Sequence, residues 1–144
     1  MSILVDQHTR LLVQGMGREG RFHAEQAIAY GTCFVGGVAP GRGGGMALGY
    51  PLFNSVAEAA AATEANTSLI FVPGPAAADA ILEAIDAGLS LVICITDGIP
   101  VRDMITVRRS MVGKAVHLLG PNCPGAISPG KAKAGIMPAD IHRP

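Results

Sequence analysis

The sequence predicts an α/β domain built on a doubly wound parallel sheet, and three observations lead there. Short runs rich in Val, Ile and Leu recur at 11–13, 33–38, 69–72, 91–96 and 116–119, each the length of a buried strand. The segments between them carry helical patterns. A glycine-rich turn, GMGREG, follows the first apolar run directly. Strand, helix and strand repeated at this spacing demand right-handed crossovers and a parallel sheet covered on both faces. The chain has 144 residues, 49% of them hydrophobic and 15% charged, which suits one domain spanning 1–144 with a sizeable core.

The elements follow in order. After the strand at 11–13 and its glycine turn, residues 22–30 form the first helix. The strand at 33–38 leads into APGRGGG. Ser55 and Glu58 offer a capping box before Val-Ala-Glu-Ala-Ala. The strand at 69–72 runs into PGP and then a helix with Ala78, Ile81, Leu82 and Ile85 on one face. Asp79, Glu83 and Asp86 point away from that face, and Gly88 is placed to end the helix. The strand at 91–96 leads through TDGIP to a helix over 100–112, with Met104, Ile105, Met111 and Val112 on its apolar face and Arg108 and Arg109 solvated. The strand at 116–119 ends in GPNCPG. The loops GMGREG, APGRGGG, PGP, TDGIP and GPNCPG all follow apolar runs, so they converge on the carboxyl edge of the sheet, where such folds hold ligands.

Composition excludes several functions. Lys plus Arg and Asp plus Glu number 11 each, which leaves no general electrostatic basis for binding nucleic acid or an anionic membrane. No run approaches the roughly 20 apolar residues of a membrane span, and MSILVDQHTR lacks the pattern of a secretory signal; the expected location is cytoplasmic. The three cysteines, Cys33, Cys94 and Cys123, are odd in number and lack metal-ligand spacing, so neither a disulfide framework nor a metal site is expected. Cys33 and Cys94 read as strand residues, whereas Cys123 lies in a Gly- and Pro-rich loop that can line a site.

Gly15, Gly17 and Gly20 complete a G-x-G-x-x-G pattern. That pattern suits a tight turn, a close approach of backbone to ligand and close packing of the next helix, whose free N–H groups attract an anion. It also occurs as a plain turn. A Rossmann-like unit for NAD places Asp or Glu about 20 residues beyond the glycines to accept the ribose hydroxyls. Here that stretch reads FVGGVAPGRGGG, with no carboxylate and with Arg42. A guanidinium there fits a phosphorylated ribose, which means NADP or coenzyme A.

MSILVD, the QG turn, FHAEQAIAYGT, VGGVAPGRGG, PLFNSVAEA, ILEAIDAG, ITDGIP and GPNCPGAISPGK together resemble the N-terminal, CoA-binding domain of succinyl-CoA synthetase (succinate–CoA ligase) α subunits, or of the related malate–CoA ligase α subunits. The resemblance runs along essentially the whole chain. It implies coenzyme A as cofactor, a phosphate-binding turn at Gly17, Arg18, Glu19 and Gly20, and a cation to the CoA phosphates at Arg42, where the family usually has lysine. Ile95, Thr96 and Asp97 would border the cofactor, Val72 and Pro73 would pack against its nucleotide end, and Asn122 and Cys123 would lie near the reaction centre. The domain would aim the CoA thiol at an acyl phosphate within an NDP-forming ligase, alongside a β subunit.

Two departures matter. The family's turn reads G-x-T-G-x-x-G, whereas G-M-G-R-E-G is one residue shorter and lacks the threonine; Arg18 and Arg21 can supply charge in its place. The family's second domain, which carries the phosphorylated histidine, is absent from this sequence, so no catalytic residue is expected here and the chain is not expected to run the ligase reaction alone. Of His8, His23, His117 and His142, only His23 lies beside the glycine turn, where it can help position a phosphate. Two alternatives stay open at this stage: an NADP-binding oxidoreductase domain and a non-catalytic CoA-binding sensor.

Overall fold

Successive residues of a strand face opposite sides of a sheet, and the apolar runs here feed two cores at once. In the computed structural model, which describes residues 2–144, Leu12, Ile70 and Val92 face one layer while Leu11, Val13, Leu69 and Ile93 face the other. Met1, the first residue of MSILVD, lies outside the described residues.

The strands are β1 (Arg10–Gln14), β2 (Cys33–Val38), β3 (Met46–Ala47), β4 (Tyr50–Phe53), β5 (Thr67–Ile70), β6 (Leu91–Cys94), β7 (His117–Leu119), β8 (Gly125–Ser128) and β9 (Ala132–Gly135). The helices are α1 (Arg18–Tyr30), α2 (Val56–Thr63), α3 (Gly74–Asp86) and α4 (Val101–Ser110). Seven strands make one sheet in the order β3-β4-β2-β1-β5-β6-β7, and its neighbouring strands are parallel except for β3 against β4. The expected α/β, Rossmann-like, doubly wound parallel sheet is therefore present. From β1 the chain builds outward through β2 and β4, then returns to place β5 on the other side of β1. That reversal opens a crevice above the carboxyl ends of β1 and β5.

Helices α2, α3 and α4 cover one face of the sheet. The other is covered by α1 and by the antiparallel hairpin β8–β9, which contributes Ala132 and Ala134 to the core. Sequence patterning missed this hairpin because Ala, Gly and Lys give no alternating signal. It also missed β4, a short strand containing Pro51.

The runs at 69–72 and 91–96 outlast their strands. Phe71 and Ile95 pack against one core layer and Val72 against the other, and Phe71 N–H still donates to Gln14 O (2.9 Å) and Ile95 N–H to Ile70 O (3.2 Å). The first helix starts at Arg18, four residues before the apolar pattern begins. Ser55 Oγ accepts the Glu58 N–H (3.2 Å), as expected of an N-cap, while the Glu58 carboxylate takes the Asn54 N–H (3.1 Å) instead of that of Ser55. Gly88, with φ 82°, stops α3 where expected.

Two faces are corrected. On α4 the inward residue is Val107, with Met104 and Met111 packed beside it; the 3.6-residue period puts Ile105 and Val112 on the outer side, 50% and 81% exposed. On α3, Glu83 does not face away. Its carboxylate accepts the Val56 N–H at 2.8 Å, adding an acceptor at the N-terminus of α2, where a negative charge is favoured.

Candidate functional site

The crevice at the strand reversal is a cleft of about 400 Å³. Its floor is the end of β1 and the glycine turn: Gln14, Gly15, Met16 and Gly17. One wall is the loop after β2, with Ala39, Pro40 and Arg42; the other is Val72 and the side of α3 that carries Ala76, Asp79 and Glu83.

Each glycine of the turn has its own physical reason. Gly15 has φ +91°, and a Cβ there would lie 2.9 Å from Val72 N. A Cβ on Gly20 would lie 1.9 Å from Gly15 O, so only glycine lets α1 sit this close to β1. A Cβ on Gly17 meets nothing within 4 Å; that position opens onto the cleft. Gly17 caps α1 without a side-chain hydrogen bond. The helix ladder begins with Arg21 N–H to Gly17 O (3.0 Å), and the N–H groups of Arg18, Glu19 and Gly20 find no acceptor among the described residues. These unpaired donors at a positive helix end are suited to an anion.

Arg42 faces this helix end across the cleft, and among the described residues it forms no salt bridge. Residues 33–47 contain no Asp or Glu, so the ribose-binding carboxylate of an NAD site has no counterpart after β2. The carboxylates of the cleft come from α3, through Asp79 and Glu83. Sequence periodicity assigned them to solvent, because a 3.6-residue pattern distinguishes core from surface but not one surface from another.

Gln14 holds the floor in place. Its Oε1 accepts the Ser68 hydroxyl (2.6 Å) and its Nε2 donates to Ala80 O (3.0 Å), tying β1 to β5 and to α3. The signal for it was available: a glutamine at the end of an otherwise apolar strand, buried to 2% exposure, requires partners.

The remaining expected residues lie along the same edge. Pro73 caps α3. Thr96 Oγ–H donates to Val72 O (2.6 Å), so the loop after β6 holds the cleft wall after β5. Ile95 and Asp97 flank it, and Asp97 accepts the Gly98 N–H (2.7 Å). Asn122 is exposed and Cys123 half-buried beyond β7, outside the lining of the cleft. The Cys123 thiol donates to Cys94 O (3.3 Å) and approaches Leu119 O (3.5 Å). Burial pushes its pKa upward against two opposing backbone hydrogen bonds, and burial pushes Cys94 up to about 11. Both are thiols at neutral pH, unlike the thiolate a cysteine nucleophile requires. His23 lies outside the cleft lining; it turns toward a separate cavity behind α1.

A glycine turn at a helix N-terminus, set at the reversal of a doubly wound sheet and facing a cation instead of a ribose-binding carboxylate, defines a Rossmann-like domain for a phosphorylated nucleotide cofactor. Comparison with known proteins narrows the class. The family described as the CoA binding domain matches residues 6–98, and the chain belongs to that family. It is 56% identical to the succinate–CoA ligase [ADP-forming] subunit alpha of Aquifex aeolicus over 146 aligned residues, covering 99% of this chain and 48% of that subunit. It is 55% identical to the malate–CoA ligase subunit alpha of Methylorubrum extorquens, covering 100% of this chain and 50% of that subunit. The chain thus spans about half the length of these relatives. Among solved structures, the ATP citrate lyase of Methanosaeta concilii, in complex with (3S)-citryl-CoA, superposes with a TM-score of 0.78 at 20% identity, over 92% of this chain and 24% of that one. That likeness shows the fold.

Proposed function

We propose that this chain is the coenzyme A-holding part of an NDP-forming acid–CoA ligase α subunit, working in the cytoplasm with a β subunit. The observation that carries the reading is the identity of more than half the residues to two acid–CoA ligase α subunits along essentially the whole chain. The cleft geometry supports it independently: helix amides and an Arg42 without partners among the described residues, with space at Gly17, suit a phosphorylated ribose. The same identity removes the ground for an NADP-dependent oxidoreductase.

In this reading Gly15 and Gly17 let the backbone approach the cofactor, and the amides of Arg18, Glu19 and Gly20 meet its phosphate oxygens. Arg42 adds a charge-assisted contact from the opposite wall. Val72 and Pro73 pack against the nucleotide end, held by Thr96, while Ile95 and Asp97 border the same path. Asn122 and Cys123 stand further along the carboxyl edge, toward the reaction centre, with Cys123 as a backbone-bonded thiol and not a nucleophile. The bound cofactor supplies the thiol that attacks an acyl phosphate. The chain's own contribution is orientation, which is worth most when reacting groups are held at near-contact distance. The phosphorylated histidine of the ligase belongs to a further domain, and none of the histidines here takes that role.

Calorimetric titration tests this reading. Coenzyme A is expected to bind and NADPH to bind more weakly. Removing one charge-assisted contact, worth about 1.5–3 kcal/mol, through Arg42→Ala is expected to weaken coenzyme A binding by about tenfold or more. Equal binding of both cofactors, or no effect of Arg42→Ala, would count against it.

A further inference from the structure

Behind α1, on the side away from the glycine turn, lies a larger cavity of about 650 Å³. Its walls come from α1, from β9 and from the segment 136–144, with Phe22, Ala29 and Met137 among the apolar contributors. Of the four nitrogen-bearing side chains that line it, Lys133 and His23 reach into the interior and are poorly satisfied. Lys133 is only 2% exposed, flanked along β9 by Ala132 and Ala134, and its Nζ donates to a single acceptor, Gly135 O (2.7 Å). An ammonium carries three donors, and no carboxylate pairs with this one among the described residues. His23 stacks on Phe71 with ring centroids 5.3 Å apart and planes 5° apart. Its Nε2 faces the exposed Glu19 carboxylate at 3.7 Å, while its Nδ1 is buried with no hydrogen-bond partner.

Such an arrangement is costly if nothing answers it. Buried lysines are almost always paired, and a buried donor without an acceptor costs about 1–3 kcal/mol. The backbone around Lys133 is nonetheless fixed: Lys133 N–H donates to Thr32 Oγ1, whose own hydroxyl donates to Lys133 O, both at 2.8 Å. Tyr30 OH donates to His142 O and accepts the Gly130 N–H, so the terminal segment closes over the cavity. The other charged groups at the cavity, Asp140 and Arg143, are exposed on that segment.

We propose that this cavity is a carboxylate-binding site, with the Lys133 ammonium and the Nδ1–H tautomer of neutral His23 as its two donors. A carboxylate offers two oxygens, one for each nitrogen, and its single charge matches the lone buried ammonium. A phosphate dianion would bring two charges to a lining whose charged groups, Lys133, Arg143 and Asp140, sum to one positive charge. The ligand is therefore a carboxylate on a short apolar stem, carried either by a free acid or by an Asp or Glu side chain of a protein segment. The site is independent of the coenzyme cleft, although Phe71, on which His23 stacks, directly precedes the cleft residue Val72.

Nitrogen-detected NMR of the whole chain, following the His23 ring and the Lys133 ammonium, tests this. Acetate and malonate serve as free acids and the capped amide of aspartate as the side-chain probe, all against chloride at equal ionic strength. A saturable shift of both groups in the millimolar range, absent with chloride, is the expected result. A stronger response to the free acids would indicate a small-molecule ligand and a stronger response to capped aspartate a protein segment; either supports the site. Lys133→Met keeps the length and packing of the side chain and is expected to abolish the His23 response. Absence of any saturable shift in the wild-type chain would overturn the proposal, as would a Lys133→Met variant that responds like wild type. If Lys133→Met fails to fold, the wild-type titration still decides.

Discussion

Gly17 and Gly20 belong to one turn, but the structure gives them separable roles, and alanine at each position exposes the difference. At Gly20 a Cβ would stand 1.9 Å from Gly15 O, about 1.4 Å inside the roughly 3.3 Å of a close carbon–oxygen contact. The obstacle is backbone, pinned by Gly15 N–H to Val38 O (3.1 Å), so α1 must lift from the sheet. Overpacking of this kind costs about 3 kcal/mol, which for a chain of this size lowers Tm by roughly 6–12 °C. At Gly17 the added methyl meets nothing within 4 Å, and the stability change is confined to the poorer capping by alanine, about 1 kcal/mol or less. In the proposed reading that methyl projects toward the cofactor phosphates, so coenzyme A affinity is expected to fall by about tenfold or more while the fold persists. Thermal melting and calorimetric titration of the two variants read the two effects separately. A Gly20→Ala chain melting with the wild type would refute the packing argument, and a Gly17→Ala chain of unchanged affinity would refute the placement of the phosphates.

Gln14→Leu strands the Ser68 hydroxyl and Ala80 carbonyl and is expected to cost about 2 kcal/mol; adding Ser68→Ala should cost less than the separate effects combined, and simple additivity in denaturant melts would contradict the shared network. Burial first and the Lys133 charge second hold the His23 pKa below its ordinary 6.5, against the opposing pull of Glu19. The folded chain therefore keeps His23 neutral where the unfolded chain binds a proton, and stability is lost as pH falls below about 6.5. A His23→Gln chain should show a shallower loss in melts across that range; equal slopes would show that His23 does not contribute. In maleimide labelling at neutral pH, exposed Cys33 should react first, Cys123 slowly and Cys94 only on unfolding; early labelling of Cys123 would mark it as a reactive thiol.

The central sheet was legible because β1, β2, β5 and β6 are largely buried on both faces and so read as continuous apolar runs, while the half-buried edge strand β7 is marked by Leu118 and Leu119. What escaped was structure without such a run. Strand β4 contains Pro51 and pairs with β2 only through Gly37↔Leu52 and Val38↔Phe53. The hairpin β8–β9 consists mainly of small residues, and its one large buried side chain is Lys133, which no hydrophobic pattern would place inside. The same blindness affected the cleft. Its glycines and Arg42 follow from spacing, whereas the α3 carboxylates and the Gln14 network depend on which elements the topology brings together. His23 illustrates the opposite error. Adjacency to the glycine turn in sequence suggests a phosphate ligand, but its place on α1 carries it toward β9 and away from the cleft.

The shortened turn can be reassessed in this light. In the pattern G-x-T-G-x-x-G the hydroxyl is an added group that can meet a phosphate, and its absence from GMGREG looks like a loss. A hydroxyl at a helix N-terminus can also occupy one of the free amides as a side-chain cap. Here Gly17 caps α1 with no side chain at all, leaving the amides of Arg18, Glu19 and Gly20 without internal competition and the space above Gly17 open. The missing threonine therefore removes one contact while keeping the backbone donors available to the ligand. In the proposed reading, phosphate recognition rests on the helix end and the Arg42 guanidinium instead of a side-chain hydroxyl. Its affinity should accordingly fall steeply with salt, because the remaining contacts are those between full charges and an exposed helix end, which ions screen. A calorimetric series in rising potassium chloride that left coenzyme A affinity unchanged would place the binding energy in the apolar walls instead.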